Sequence, residues 1–427
     1  MDARLLRWCG RSPASGARSE SGASLGSRED SQSPPKPTRR ACRTPVWGAR
    51  ESARSGGKAA CYDAPGGRVR GVPCPRRHVA VLGSGQMGLV CTAMLASATP
   101  NSGSAEPASA AEPPEIGRIA IWGHELDAQH RLAQVRHSPL LEGFSLPDRV
   151  AVALTDEQAV QDAGLIVCAI PAQHIREAFT RLKPHIQPGV PVVSTAKGLE
   201  QGSLLRPTEV IAQVLDDGPG GRPLAALSGP TIAAELARGL PATMIAASEN
   251  AQFASAVQHW FAASYLRIYT SPDLVGTELA GAIKNVIAIA AGILDGLQAG
   301  YNAKSALLAR GLAEIVRLGA AMGAQPETFF GVAGVGDLAT TCFSPEGRNR
   351  ACGEALGKGR TLAQHMGESM HVVEGVATTK AVMELAQTHG VEMPICQAVH
   401  AVLFDGLDPV DAIGLLMSRP QKEERLA

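Results

Sequence analysis

Short, wholly apolar runs alternate with helix-forming runs through the first part of this chain. Residues 78–82, 118–122, 165–170, 190–196, 224–227, 242–247 and 266–269 are rich in Val, Ile, Leu and Ala and read as buried strands. Between them, 89–96, 173–182, 232–238 and 251–262 have helical composition. Strands separated by helices predict an α/β fold with a doubly wound, mostly parallel sheet. After Thr270 the strand signal nearly stops and a 3.6-residue period takes over, predicting helices over 302–322, 326–330, 350–356, 378–389, 395–404 and 409–417. The pattern divides the folded chain into a sheet-bearing domain, 78–267, and an all-α C-terminal domain, 268–427.

The longest apolar stretch is 271–296, which reads as one helix begun by Ser271 or Pro272, with Asp273 suited to its positive end. Such a helix is buried on most sides, yet Lys284 and Asn285 stand in its middle. Burial lowers a lysine pKa, and a desolvated amine exchanges protons well near neutral pH. The small residues Ala280 and Gly281 one turn back leave room for a ligand. The alternative is an amine that snorkels to solvent from the edge of a core helix.

Residues 1–77 change the picture least. They are basic, rich in Ser, Arg, Gly and Pro, and too poor in large apolar groups to offset ordering entropy, so a disordered extension is expected. Residues 98–117, rich in Pro, Ala and Ser, read as an inserted surface loop. Forty basic residues balance forty acidic ones, which gives no support for a nucleic-acid partner. The nine cysteines are scattered without a C-x-x-C, so they suit a reducing cytoplasm, and neither a disulfide framework nor a metal site is expected. No run approaches the roughly 18 consecutive apolar residues of a membrane span, so none is expected. The oligomeric state stays open, with a homodimer as one arrangement.

The candidate chemistry lies in the non-periodic stretches. Gly83-Ser84-Gly85-Gln86-Met87-Gly88 follows the first strand and opens a helix, the context a dinucleotide cradle requires. Gly83 serves the tight turn, Gly85 the approach of a pyrophosphate, and Gly88 close packing of helix on strand. The sheet is therefore expected to be Rossmann-like. The second strand ends in Trp122-Gly123-His124, where an NAD-reading fold usually places an acid. His124 either contacts a 2′-phosphate of NADP(H) or is an exposed residue at a helix start. Pro171, Lys197 and Gly229 each follow a strand and should share one rim. Lys197 is then a phosphate contact or a surface lysine. The 334–338 and 343–350 stretches read as loops able to present amides and a guanidinium to a phosphate. Glu374, in an expected extended segment 371–375, either returns to the cofactor or caps a helix.

Taken in order, GSGQMG, WGH, STAKGLE, LSGPTIAAELARGLPA, VGTELAGAIKNVIAIAAG, GVAGVGDLATTC, RNR and VVEGVATTK closely resemble the bacterial-type NAD(P)-dependent glycerol-3-phosphate dehydrogenases, from residue 78 to about 419. The resemblance implies reversible reduction of dihydroxyacetone phosphate to sn-glycerol 3-phosphate by NADH or NADPH, for phospholipid synthesis. It implies that Lys284 transfers the proton. Lys197, Gly229, Thr231, Asp337, Arg348 and Asn349 match positions that hold the substrate. Gln86, Met87, His124, Lys197, Ala233, Arg348, Val372 and Glu374 match positions lining the nucleotide. Two departures stand out: Gln86-Met87 replace a Ser and an aromatic, and Gly347 replaces a Ser before Arg-Asn, so that backbone or water takes over one substrate contact. A ketopantoate-like or hydroxyacid reductase on the same plan, and a nucleotide sensor without chemistry, are the rival readings.

Overall fold

The computed structural model describes residues 78–97, 116–218, 221–368, 372–421 and 423–424. The expectations for 1–77 and 98–115 lie outside them. The first part is an eight-stranded sheet: β1 (His78–Leu82), β2 (Arg118–Trp122), β3 (Val150–Val152), β4 (Ala163–Cys168), β5 (Val192–Ser194), β6 (Leu224–Ser228), β7 (Ala242–Ala247) and β8 (Leu266–Ser271). Their spatial order is β3-β2-β1-β4-β5-β6-β7-β8, and all pairs are parallel except β6 with β7. The helices among them are α1 (Gln86–Ser97), α2 (Leu126–Val135), α3 (Asp156–Val160), α4 (Ile175–Leu182), α5 (Pro207–Val214), α6 (Ala233–Ala237) and α7 (Ala251–Trp260). β1 and β4 are buried at every residue, as central parallel strands covered on both faces must be. The order reverses between β1 and β4, so the carboxyl ends of these strands flank the switch-point crevice.

After Ser271 the described residues form no strand. They hold α8 (Leu274–Gly296), α9 (Gly300–Ala321), α10 (Pro326–Phe330), α11 (Asp337–Phe343), α12 (Arg348–Gly357), α13 (Leu362–Glu368), α14 (Glu374–Thr388), α15 (Pro394–Phe404) and α16 (Pro409–Met417). This is the Rossmann-like sheet followed by helices that the pattern predicts. α8 is the axis of the helical part, and its apolar residues join those of α9, α11, α12, α14 and α15 in one core. α12 lies unusually close to it. A Cβ on Gly292 would overlap the carbonyl oxygen of Arg350, and one on Gly353 that of Ile289.

Several expectations need correction. β3, a three-residue strand at the edge of the sheet, went unforeseen. Ser271 is the last residue of β8, which extends past 267, and α8 starts at Leu274 with Asp273 as its cap: the Asp273 carboxylate accepts from Gly276 N at 2.8 Å. The same carboxylate accepts from Gln325 N at 3.0 Å, so it ties α8 to α10. The 334–338 stretch is no loop. Val332–Gly336 forms a π-helical turn that runs into α11. Arg348 and Asn349 open α12, and Glu374 opens α14 rather than lying in an extended segment. Finally, α8 has the length and a mean hydropathy of 1.5 that a membrane-crossing helix would need, contrary to the reading of the chain. Helices of the same core bury it instead.

Candidate active site

Lys284 does not snorkel. It is 6% exposed in the middle of α8, and its Nζ donates to Asp337 Oδ1 and to Thr341 Oγ1, both at 2.6 Å. The other Asp337 oxygen accepts from Lys197 Nζ at 2.7 Å. Lys197 also donates to the carbonyl oxygen of Gly229 at 2.9 Å. One buried carboxylate thus bridges two amines brought by the end of β5 and by α8. An ammonium has three donors, so each amine keeps one for a ligand. Burial is the largest influence on Lys284 and lowers its pKa to about 8; Asp337 opposes that shift, and Lys197 adds to it.

The space left by Gly281 is not empty as expected. A Cβ there would meet Lys197 Cγ at 3.3 Å and Ser228 Oγ at 3.4 Å, so the small residue admits Lys197 against α8. Asn285, one residue beyond Lys284, donates to the carbonyl oxygen of Lys197 at 3.3 Å and steadies that backbone. Thr231 donates to the Gly229 carbonyl oxygen at 3.1 Å.

Arg348 is exposed at the N-terminus of α12, with no hydrogen-bond or ion-pair partner among the described residues. Asn349 beside it is buried. Its Oδ1 accepts from Gly375 N at 2.9 Å, which frees its amide nitrogen to donate elsewhere. Glu374 has its pKa raised by burial, against the pull of Arg348 first, then Lys284 and Lys197. Three cations therefore face two carboxylates, and one of those carboxylates is biased toward neutrality. Together with the α12 N-terminus, that balance suits a small phosphorylated anion.

The cradle for a dinucleotide is equally concrete. Gly83 has φ +116, and its N donates to the Trp122 carbonyl oxygen at 2.7 Å, so the chain turns sharply off β1. A Cβ on Gly88 would overlap the Gly83 carbonyl oxygen, whereas one on Gly85 would meet nothing within 4 Å. Gly85 is the open mouth of the turn, and the N-terminus of α1 stands directly behind it. These residues fit the pyrophosphate of a dinucleotide.

Two family models match this chain, the NAD-dependent glycerol-3-phosphate dehydrogenase N-terminus over residues 78–254 and its C-terminus over 273–414. The glycerol-3-phosphate dehydrogenase (NAD(P)+) of Desulfitobacterium hafniense (strain Y51) is 44% identical over 307 residues, 72% of this chain and 86% of that relative. The chain belongs to the NAD-dependent glycerol-3-phosphate dehydrogenase family. The family enzyme of Koribacter versatilis (strain Ellin345) is 46% identical and is covered over 91% of its length. The crystal structure of the Coxiella burnetii family member superposes with a TM-score of 0.72 at 33% identity, over 81% of this chain and 99% of the other. A D-mandelate dehydrogenase with NADH, at 12% identity and a TM-score of 0.52, shares the fold alone.

Among the remaining residues that the family resemblance singled out, placement varies. Gln86 opens α1, but its side-chain nitrogen donates to the Leu140 carbonyl oxygen at 2.7 Å, so the amide is engaged with the 140 loop. Met87 and Ala233 pack partly buried against the core beneath the sheet. His124 is 80% exposed, with Nε2 3.7 Å from the Glu125 carboxylate. Val372 is exposed just before α14. Gly347 is the residue preceding α12, and a Cβ there would meet the Thr341 carbonyl oxygen at 3.1 Å. Thr341 was missed. It accepts from Lys284 and donates to the Asp337 carbonyl oxygen at 2.7 Å. Asp337 and Thr341 stand one helical turn apart, a signal open only to a reading that puts both on a helix.

Proposed function

We propose that this chain reduces dihydroxyacetone phosphate to sn-glycerol 3-phosphate, reversibly, with NADH or NADPH as reductant, and so supplies the glycerol unit of phospholipids. The 78–267 part holds the nucleotide and the 268–427 part holds the substrate. The observation that carries the reading is the buried Lys284 amine, held by Asp337 and Thr341 with its pKa near 8.

Reduced nicotinamide, when bound, supplies a hydride to the substrate carbonyl carbon. The carbonyl oxygen takes its proton from Lys284, whose charge also stabilises the developing alkoxide. Asp337 keeps the amine charged in spite of its burial, and Thr341 fixes its direction. Lys197 offers its spare donor to the substrate. Arg348 and the Asn349 amide take the phosphate at the α12 N-terminus. Buried free thiols at Cys91, Cys168, Cys342, Cys352 and Cys396 favour the reducing cytoplasm as its compartment.

Steady-state turnover with dihydroxyacetone phosphate, measured beside unphosphorylated 2-keto acids and with both nicotinamide cofactors, tests the reading. The expected result is at least about a hundredfold higher kcat/KM for the phosphorylated triose, since a site built around an anion rejects ligands that leave it unpaired. An equal or better keto acid would sink it, as would no turnover of either.

A further inference from the structure

Asp295 stands near the end of α8, well beyond Lys284, and it touches none of the groups described above. Its carboxylate is shared between two cations. Lys304 of α9 donates to Oδ1 at 2.8 Å and Oδ2 at 2.7 Å, and Arg350 of α12 donates to Oδ2 at 2.6 Å. Lys304 reaches on to the last residue of α11 and Arg350 to the segment joining α11 to α12. Arg350 Nε donates to the Ser344 carbonyl oxygen at 2.9 Å, and Lys304 Nζ lies 4.8 Å from the centre of the Phe343 ring.

That segment runs from the helix carrying Asp337 and Thr341 to the residues that open α12, Arg348 and Asn349. Its own bonds are all short-range, Ser344 N donating to the Thr340 carbonyl oxygen at 2.9 Å and Glu346 N to Ser344 Oγ at 3.2 Å, while Phe343, Pro345 and Glu346 are exposed. The Ser344 carbonyl oxygen is its folding point and also accepts from Gly347 N at 3.2 Å. Glu354 reaches the same Arg350 nitrogen at 3.2 Å but is bonded in turn by Lys358. Asp295 is thus the group that directs Arg350 toward Ser344, with Glu354 as the competitor.

We infer that Asp295 is a positioning residue for the substrate phosphate: by fixing Arg350 and Lys304 against Phe343 and Ser344, it sets where the α12 N-terminus presents Arg348 and Asn349. This rests on the reading that Arg348 and Asn349 take the phosphate. In Asp295→Asn the fork of Arg350 turns to Glu354, Lys304 loses its counter-charge, and the turn before Arg348 loosens.

The test measures KM and kcat for dihydroxyacetone phosphate, kcat/KM for unphosphorylated dihydroxyacetone, cofactor Kd and Tm in Asp295→Asn, Asp295→Glu, Arg350→Lys and Arg348→Ala. A misplacement of the order of 1 Å costs up to about 10²-fold. KM for the phosphorylated substrate should therefore rise about ten- to a hundredfold in Asp295→Asn, with kcat, cofactor Kd and the dihydroxyacetone value near wild type. Asp295→Glu should recover most of the loss. If Asp295→Asn does not fold, Arg350→Lys decides, because it keeps the charge but loses the donor to Ser344. Wild-type KM in the folded variants, beside a raised KM in Arg348→Ala, overturns the inference alone. Equal losses for both substrates and for the cofactor reduce Asp295 to a general structural residue and also overturn it. An unchanged KM in Arg348→Ala would instead overturn the substrate reading itself.

Discussion

The glycine turn after β1 and the amine cluster beside α8, the two ligand sites proposed above, are built from opposite materials. At the turn the work falls to the main chain: a left-handed Gly83, a close contact at Gly88, an open face at Gly85, and the N-terminus of α1. The one polar side chain there that the family resemblance singled out, Gln86, turns away to Leu140. In the cluster the backbone recedes and charged side chains do the work, with Asp337 dividing itself between Lys197 and Lys284. A backbone cradle serves a cofactor whose phosphates need only dipoles and space. Proton transfer needs a group that titrates, and only a desolvated side chain offers one near neutral pH.

The sharpest way to break that contrast is Lys284→Ala. It should lower kcat by about 10²–10⁴, the usual worth of general acid catalysis, while cofactor Kd stays near wild type. In the wild type, reduction needs the charged amine, so kcat/KM should fall as pH rises through about 8, and oxidation should rise there instead. The mutant should lack that break. Retained turnover, or the same break in the mutant, would remove Lys284 from the mechanism.

Gly88→Ala attacks the other material. Its Cβ meets the backbone oxygen of Gly83, which has no flexible end to move aside. Overpacking of this kind costs about 1–3 kcal/mol, so NADH affinity by fluorescence titration should fall about tenfold or more, with less effect on the pH break. Wild-type affinity and Tm together would show that the turn tolerates a side chain. His124→Ala is the mildest change. A polar contact from a side chain this exposed is worth about 1 kcal/mol or less, so the NADPH-to-NADH affinity ratio should drop no more than about fivefold. No change in that ratio would take His124 out of the nucleotide site.

How much was legible depended on whether the deciding interaction was local. β1 and β2 lie where the apolar runs place them, and α16 spans the residues that its period marks out. Gly83, Gly85 and Gly88 were readable because a tight turn restricts residue type within a few positions. The same local reading misjudged Arg348, Glu374 and the 334–338 stretch. Gly, Ser, Pro and Asp favour loops in isolation. Packing overrode them: Gly353 lets α12 settle on the backbone of α8, and Gly375 N meets the Asn349 side chain. With 334–338 taken as a loop, the Asp337–Thr341 spacing carried no meaning, and Thr341 went unseen.

By itself, the sequence determined a strand–glycine–helix unit able to seat a dinucleotide, and a lysine set in an apolar helix. Both are short-range facts of residue type and spacing. Tertiary structure alone decided that Lys197, Lys284, Asp337 and Thr341 meet, since Lys197 and Asp337 lie 140 positions apart. It also decided the lysine's proton affinity. Desolvation belongs to the surroundings that other helices supply, and no residue carries it alone.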